Sequence, residues 1–490
     1  MKRLTIAFLL LCHLASASFD MNDNIKQSYS HIINLEFARA NTLLNSEELH
    51  NSENGFVPLY RNYIDFLTIL ITEDVDYFES HVNLKKERLS LLDENDETSP
   101  YYLYSKAEVN LQWAFSRLKF EQYMIASYEL IKAYRLLQEN QNRFPDFTLN
   151  KKGLGIIYII LGAVPKEFNW IVNLAGLNGD IALGFSELDY LLNDTLFEVY
   201  ENEVLFLLSF LHINLAKNED ICQQYLDRIG DRYQDNLLLN FAAARLSHNL
   251  GDNNYCLDIL KDRPDVIGGT AFYYLDYLEG MSYLYMLDFK NAQQKFEYYL
   301  DNFRGLNYIK SANHKLAWIA SLQHDLDMRE EFFSKVISDG YTFVDEDKVA
   351  LKDAQLDHIS HPILLRSRLL YDGGYYSLAL SELNQTESST YFSSTINQIE
   401  YWYRLARIKS KLKSSDSEII EYYKSALKEG ENSTSYYAPM SALQLGLIYV
   451  NNNDLNRARY YLNKCLSMSG FDYRRGIHQK AKAALNSISD

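Results

Sequence analysis

Apolar residues recur at three- and four-residue intervals through most of this chain, with polar residues between them, so the pattern predicts helices almost throughout. The clearest stretch is 272–303, FYYLDYLEGMSYLYMLDFKNAQQKFEYYLDNF, which reads as two antiparallel helices. Gly280 and Tyr283 lie three apart on the first, Phe289 sits at the turn, and Ala292 and Phe296 lie four apart on the second. The small residues let the helices approach, and the aromatic ones fill the space beside them.

The arrangement recurs on both sides. Phe37, Ala40 and Leu44 repeat the second-helix half near the start of the chain. The periodicity predicts helices over 57–72 and 77–92, closed by the acidic run 93–97 and Pro100, and a further pair over 101–118 and 121–137, ended by Pro145. From Leu196 onward the small residue of each first helix recurs at Ala244, Gly280, Ala317, Ser367, Ala406 and Gly446, in steps of 36, 37, 50, 39 and 40 residues. The step of 50 contains 339–358, read as an inserted loop and short helix. Leu445, Gly446, Tyr449, Leu455, Ala458 and Leu462 stand in register, with Asp454 placed to cap the last unit's second helix. Arg329 and Ile420 stand where the pattern wants Ala, and the Ala406 unit needs one inserted residue. In the final stretch Ile477, Ala481, Ala484 and Leu485 share a helical face, as a capping helix requires.

Residues 147–195 break the pattern with Gly153, Gly155, Gly162, Gly176, Gly179 and Gly184. The apolar run 154–164 is too short to cross a bilayer and suits a buried core helix, with the glycines allowing close crossings before Pro165 ends it. Asn178-Gly179-Asp180 reads as a turn and helix cap.

The order G-x-x-Y-x5-F-x-x-A-x3-F at 280–296 resembles the tetratricopeptide repeat, a helix-turn-helix unit of about 34 residues that stacks into a superhelix. The resemblance implies an all-α chain, an α–α superhelix of roughly 12 hairpins. On this reading 1–17 is a leader, 18–146 holds N-terminal hairpins, 147–195 is atypical, 196–470 is the repeat array and 471–490 caps it. The middle segment weakly resembles a eukaryotic tetratricopeptide family implicated in inclusion-body and lipid-droplet clearance, through its G-x3-P and Gly-Asp pieces, and carries no catalytic motif. In tetratricopeptide arrays a groove is lined by fixed positions of each first helix, which here puts Arg245, Tyr277, Trp318, Arg368, Tyr403 and Arg407 forward as ligand-groove candidates. Guanidinium forks between aromatic faces suit an extended peptide bearing carboxylates. The competing reading is that these positions pack against neighbouring coils, as the wholly apolar set Met440, Leu443, Leu447 and Val450 suggests.

Composition narrows the function. At 47% apolar and 23% charged the chain can bury a large interior, and its 7 Pro mark no linker between domains. Lys2-Arg3, the apolar run 4–14 and Ala15-Ser16-Ala17 have the three parts of a secretory signal peptide, cut after Ala17. About eleven apolar residues cannot span a bilayer core of roughly 30 Å, so no membrane segment is expected in the mature chain. Leu11 before Cys12 argues against a lipid anchor. The formal charge of −17 makes nucleic acid a poor partner. Cys222, Cys256 and Cys465 remain after export, an odd and widely spaced set that forms no disulfide framework.

No nucleophile elbow, phosphate loop, zinc-protease or C-x-x-C motif is present, so no catalytic residue and no cofactor is expected. Asp357, His358 and His361 could offer three ligands to zinc, but Ser360 as a helix cap before Pro362 explains the same residues without a metal. The reading is therefore a non-catalytic protein-binding scaffold or assembly factor of the cell envelope, periplasmic or extracellular. The alternative is an exported glycan-binding protein that uses some of its 39 Tyr as stacking platforms.

Overall fold

The computed structural model describes residues 19–163, 179–216, 218–265, 269–386 and 388–488. The leader at 1–17 lies outside them, as do Pro165, Gly176 and Asn178 of the glycine-rich segment. Among the described residues every regular element is helical. In chain order the α-helices are α1 (Asp23–Ile33), α2 (Phe37–His50), α3 (Phe56–Thr72), α4 (Val75–His81), α5 (Leu84–Asp93), α6 (Pro100–Lys119), α7 (Tyr123–Arg143), α8 (Asn150–Ala163), α9 (Ile181–Leu192), α10 (Glu201–Leu211), α11 (Glu219–Ile229), α12 (Leu237–Asn249) and α13 (Asn253–Lys261). They continue as α14 (Tyr274–Tyr285), α15 (Phe289–Asn302), α16 (Ile309–Leu322), α17 (Leu326–Ser338), α18 (Asp345–Gln355), α19 (Pro362–Asp372), α20 (Tyr376–Leu383), α21 (Thr395–Lys411), α22 (Asp416–Glu429), α23 (Tyr437–Asn451), α24 (Leu455–Ser467) and α25 (Arg474–Ser487). The chain is thus an all-α, tetratricopeptide-like protein.

One turn makes most of the hairpins. Leu35, Glu121, Leu287, His324, Gly374, Lys413 and Asn453 each follow a first helix with φ between 56° and 84°. The next residue's N–H then reaches back five positions, as from Asp288 to the Tyr283 carbonyl at 3.0 Å and from Asp454 to the Tyr449 carbonyl at 2.9 Å. This satisfies a carbonyl that the helix end would leave bare. In six of the seven the residue two places on is apolar or aromatic and opens the second helix; after Lys413 the second helix opens at Asp416 instead, which absorbs the inserted residue of the Ala406 unit. Only Gly374 of the seven is glycine, so the left-handed conformation costs about 1 kcal/mol at each other turn. Asp288, Asp325 and Asp454 then accept from the first-turn N–H groups of the following helix.

Above the turn, the two helices touch where one lacks a side chain. A Cβ on Gly280 would stand 2.9 Å from the Phe296 ring, and one on Gly446 would stand 2.6 Å from Leu462. The glycine-rich segment uses the same device between α8 and α9, where a Cβ on Gly184 would meet the Gly155 carbonyl at 2.5 Å. Asp180 caps α9 through the Leu183 N–H at 2.9 Å.

The chain divides into two compact units. The first holds the described part of Met1–Leu250 with Asn254–Glu279 and Glu297–Asn307; the second holds Gly251–Asn253, Gly280–Phe296 and the described part of Tyr308–Asp490. In the first unit a buried lysine joins helices distant in sequence. Lys152 of α8 is 1% exposed, and its ammonium donates to Tyr63 of α3 at 2.5 Å and to Glu203 of α10 at 2.8 Å, with Glu108 of α6 at 3.0 Å. Tyr29 of α1 donates to Glu203, and Tyr63 to Glu108 at 2.7 Å. Burial works against the ammonium, but Glu108 and Glu203 outweigh it and hold Lys152 charged above the ordinary lysine range. In the second unit the insertion at 339–358 forms α18, whose Asp347 accepts from the backbone of Tyr308 at 2.7 Å and of Ser311 at 2.8 Å. Asp347 thereby caps α16. The final helix α25 buries Ile477, Ala481 and Ala484 against α23 and α24.

Two local expectations are corrected. The single helix over 77–92 is two, α4 and α5, because the Tyr77 carbonyl takes the Ser80 hydroxyl at 2.9 Å and the His81 ring nitrogen at 2.8 Å, which ends the first. The cap of α19 is His361 rather than Ser360: its Nδ1 accepts from the Ile363 N–H at 3.3 Å.

Replacing Lys152 with Met strands the buried carboxylate of Glu108 and the largely covered one of Glu203, and is expected to lower stability by about 3 kcal/mol in urea unfolding followed by circular dichroism. Adding Glu108→Gln and Glu203→Gln should return most of that loss; a single variant as stable as the parent would show that the network is dispensable.

Candidate functional site

The groove candidates fall in both units. Arg245 is half-buried on α12, and Tyr277 is buried on α14 with its ring 5.5 Å from Tyr274 and 5.6 Å from Tyr299; both belong to the first unit. Trp318, Arg368, Tyr403 and Arg407 belong to the second, on the first helices α16, α19 and α21 of successive hairpins. These four come together. The aromatic members are interior, Trp318 and Tyr403 each being 5% exposed, whereas the Arg368 side chain is 38% exposed and Arg407 is half-buried. Packing and accessibility thus divide by residue type rather than by position.

Each guanidinium lies over a ring. Arg368 stands 5.1 Å from the Trp318 ring centre, and Arg407 stands 4.1 Å from Tyr371 and 5.6 Å from Tyr403. A weakly hydrated planar cation tolerates such a face where an ammonium would demand water. Arg368 has one carboxylate at 3.6 Å, Asp372, while Arg407 makes no ion pair among the described residues. Burial works against both charges. Asp372 and the Tyr436 hydroxyl offset it at Arg368, and Tyr403, Tyr371 and Asp372 do so at Arg407, so both stay ionised. Behind them Tyr436 and Tyr437 extend the aromatic layer, their rings 6.0 and 5.3 Å from Tyr403.

Two basic residues that the sequence reading did not single out complete the cluster. Arg404 is 3% exposed and is matched by Glu400, one turn away, which accepts from its Nε at 2.6 Å. Lys315 is 9% exposed and has no such partner among the described residues; its ammonium sits 3.7 Å from the Trp318 ring centre. Burial first, and the Arg368 charge second, push Lys315 down from the ordinary lysine value to about 7. Their shared signal was a basic residue two places before the small residue, at Ala317 and at Ala406.

Beside Trp318, His314 is fully buried and held well below its usual range by burial and then by Lys315 and Arg368, so it is neutral. The Trp318 indole donates to its Nε2 at 3.0 Å, which places the imidazole proton on Nδ1. An Asp353 carboxylate oxygen 3.5 Å from the same Nε2 therefore finds no proton there and makes a contact rather than an ion pair. Of the three residues weighed as zinc ligands, Asp357 pairs with Arg329, and His361 caps α19 with its ring edge-on to Phe392 at 5.0 Å. Cys222, Cys256 and Cys465 are all buried, and none forms a disulfide among the described residues.

A lysine depressed in the fold binds its proton less readily than in the unfolded chain, so its contribution to stability rises with pH between about 7 and 10. Lys315→Met should remove up to about 1.4 kcal/mol per pH unit from the slope in that window. Urea midpoints of parent and variant measured across the range test this, and parallel profiles would contradict it.

No family model matches this chain, and no curated protein matches it. Among solved structures it is similar to one described as the APC/C hetero-tetramer Cut9-Hcn1, at 11% identity over 99% of both chains with a TM-score of 0.28. It is also similar to yeast Tom70, at 13% identity over 99% of this chain and 92% of that one, with a TM-score of 0.24. Neither likeness bears on function at these scores, and the tetratricopeptide-like character of the fold rests on the repeated turns and small-residue contacts within the chain itself.

Proposed function

We propose that this protein is a non-catalytic scaffold, exported from the cytoplasm to the cell envelope or beyond, that docks an extended acidic segment of a partner protein on the first-helix faces of its second unit. The observation that carries the reading is Arg407, a guanidinium with two tyrosine faces and, among the described residues, no paired carboxylate, beside Arg368 with only a loose one. In a chain of formal charge −17, a cation-rich face over an aromatic layer is locally opposite to the rest of the molecule. An acidic segment could offer carboxylates to the forks and apolar side chains to Tyr371 and Tyr436. Arg245 and Tyr277 of the first unit would be a separate contact point for such a partner.

A glycan ligand is the second reading. Trp402 favours it, half-buried and stacked on Tyr422 at 5.8 Å with its indole N–H donated to Glu429 at 2.8 Å.

A fluorescein-labelled Asp/Glu-rich peptide should bind the mature chain, more weakly as salt is raised. Arg368→Ala with Arg407→Ala should weaken it at least about tenfold, while the Lys pair at the same positions should keep part of the affinity. Equal binding by parent and alanine pair, with circular dichroism unchanged, would move the docking surface elsewhere. Titration with oligosaccharides should leave tryptophan emission unchanged if the ligand is a peptide; quenching abolished by Trp402→Ala would establish the glycan reading instead.

A further inference from the structure

The inserted helix α18 has no counterpart in the other hairpins, and it packs on α16 and α17 beside the cationic cluster. Its two ends are held very differently. At the N-terminal end Asp347 is fully buried and grips the start of α16 through two backbone N–H groups. Toward the C-terminal end the helix buries only the small side chains of Ala350 and Ala354, and its polar attachments lie at the surface, where Asp357 just beyond it pairs with Arg329. The Asp353 side chain is 23% exposed, and among the described residues its carboxylate stands against the neutral His314, at 3.5 Å, although Lys315, Arg368 and His358 all act on its charge. Lys352 reaches across to Asp472 at 2.6 Å, 120 residues on and just before α25. Both members of that pair are about half exposed, and such pairs contribute little and are screened by salt.

The contact brings two distant pieces together over Arg368. The hydroxyl of Tyr473, next to Asp472, feels Arg368 and Asp353 alike, and its ring lies edge-on to Tyr436 at 5.5 Å. Asp353 therefore brings a carboxylate into the region where a ligand's carboxylate would have to approach Lys315 and Arg368, and it does so without a direct ion pair to either.

We propose that α18 is an internal competitor: Asp353 occupies the cationic end of the second unit's binding face, and an acidic partner segment docks fully only when the C-terminal half of α18 swings away, with Lys352–Asp472 as the latch. This rests on the docking reading above. It assigns to the insertion a role that stacking alone does not require. The hinge is the Asp347 end, where α18 remains tied to α16.

The test separates latch from docking. Spin labels at Gln355→Cys and Ser469→Cys, both exposed and flanking the latch, report its opening by the distance between them. Lys352→Glu should lengthen that distance and tighten the labelled acidic peptide by about two- to fivefold, the shift that loss of one exposed pair allows. The tightening is diagnostic, because the substitution adds negative charge and would otherwise weaken an acidic ligand. Lys352→Glu with Asp472→Lys should restore the parental distance and affinity, and Asp353→Asn should tighten binding with the latch still closed. A distance that Lys352→Glu leaves unchanged, or one that opens without tighter binding, overturns the proposal. If the latch opens while no variant binds the peptide, the docking reading fails and the competitor role falls with it.

Discussion

Two helices approach most closely where the side chain between them is small, and that steric constraint sets the hairpins at Gly280 and Gly446. Gly280 faces the Phe296 ring and Gly446 faces Leu462, with no room for a Cβ at either place. Because the approach is so close, the aromatic partner is buried: Phe296 is fully inside, as are Ala292, Ala406 and Ala458. The turn below obeys the same economy of space. A left-handed residue reverses the chain in three positions, and its neighbour's N–H closes the carbonyl left open by the first helix.

Close packing also decides the state of the charges that hairpins carry inward. Lys152 and Lys315 are both buried, yet they end differently. Lys152 has Glu108 and Glu203 within hydrogen-bonding distance, so its charge survives burial and ties α8 to α3, α6 and α10. Lys315 has a tryptophan face and a neighbouring guanidinium, so the field around it favours the neutral amine. A buried cation is stable when its partner is fixed in the same scaffold. Where the scaffold supplies only rings, as at Arg407, the charge remains for something else to meet.

The hairpins were legible because a small residue followed at fixed spacing by an aromatic one is a statement about helix contact. The turns were legible only in part. A glycine would have announced the left-handed residue, but Leu35, Glu121, Leu287, His324, Lys413 and Asn453 take that conformation under the pull of the two packed helices. The split of 77–92 was hidden because Ser80 and His81 are ordinary helix-surface residues until their side chains turn back onto the Tyr77 carbonyl. At the candidate site the arginines were found by position, whereas Lys315 and Arg404 were missed because they lie off the expected face.

By itself the sequence determined the local content of this protein: helices from periodicity, hairpins from small and aromatic spacing, caps such as Asp180 and Asp454, and the absence of familiar catalytic motifs. Each of those rests on interactions within a few turns of chain. Beyond one-turn pairs such as Arg404 with Glu400, tertiary structure alone decided which charges found partners. Lys152 meets Glu203 across 51 residues, Tyr29 meets Glu203 across 174, and Lys352 meets Asp472 across 120. The energy of a charge depends on what surrounds it in space, and spacing along the chain carries no information about neighbours that folding brings from so far away.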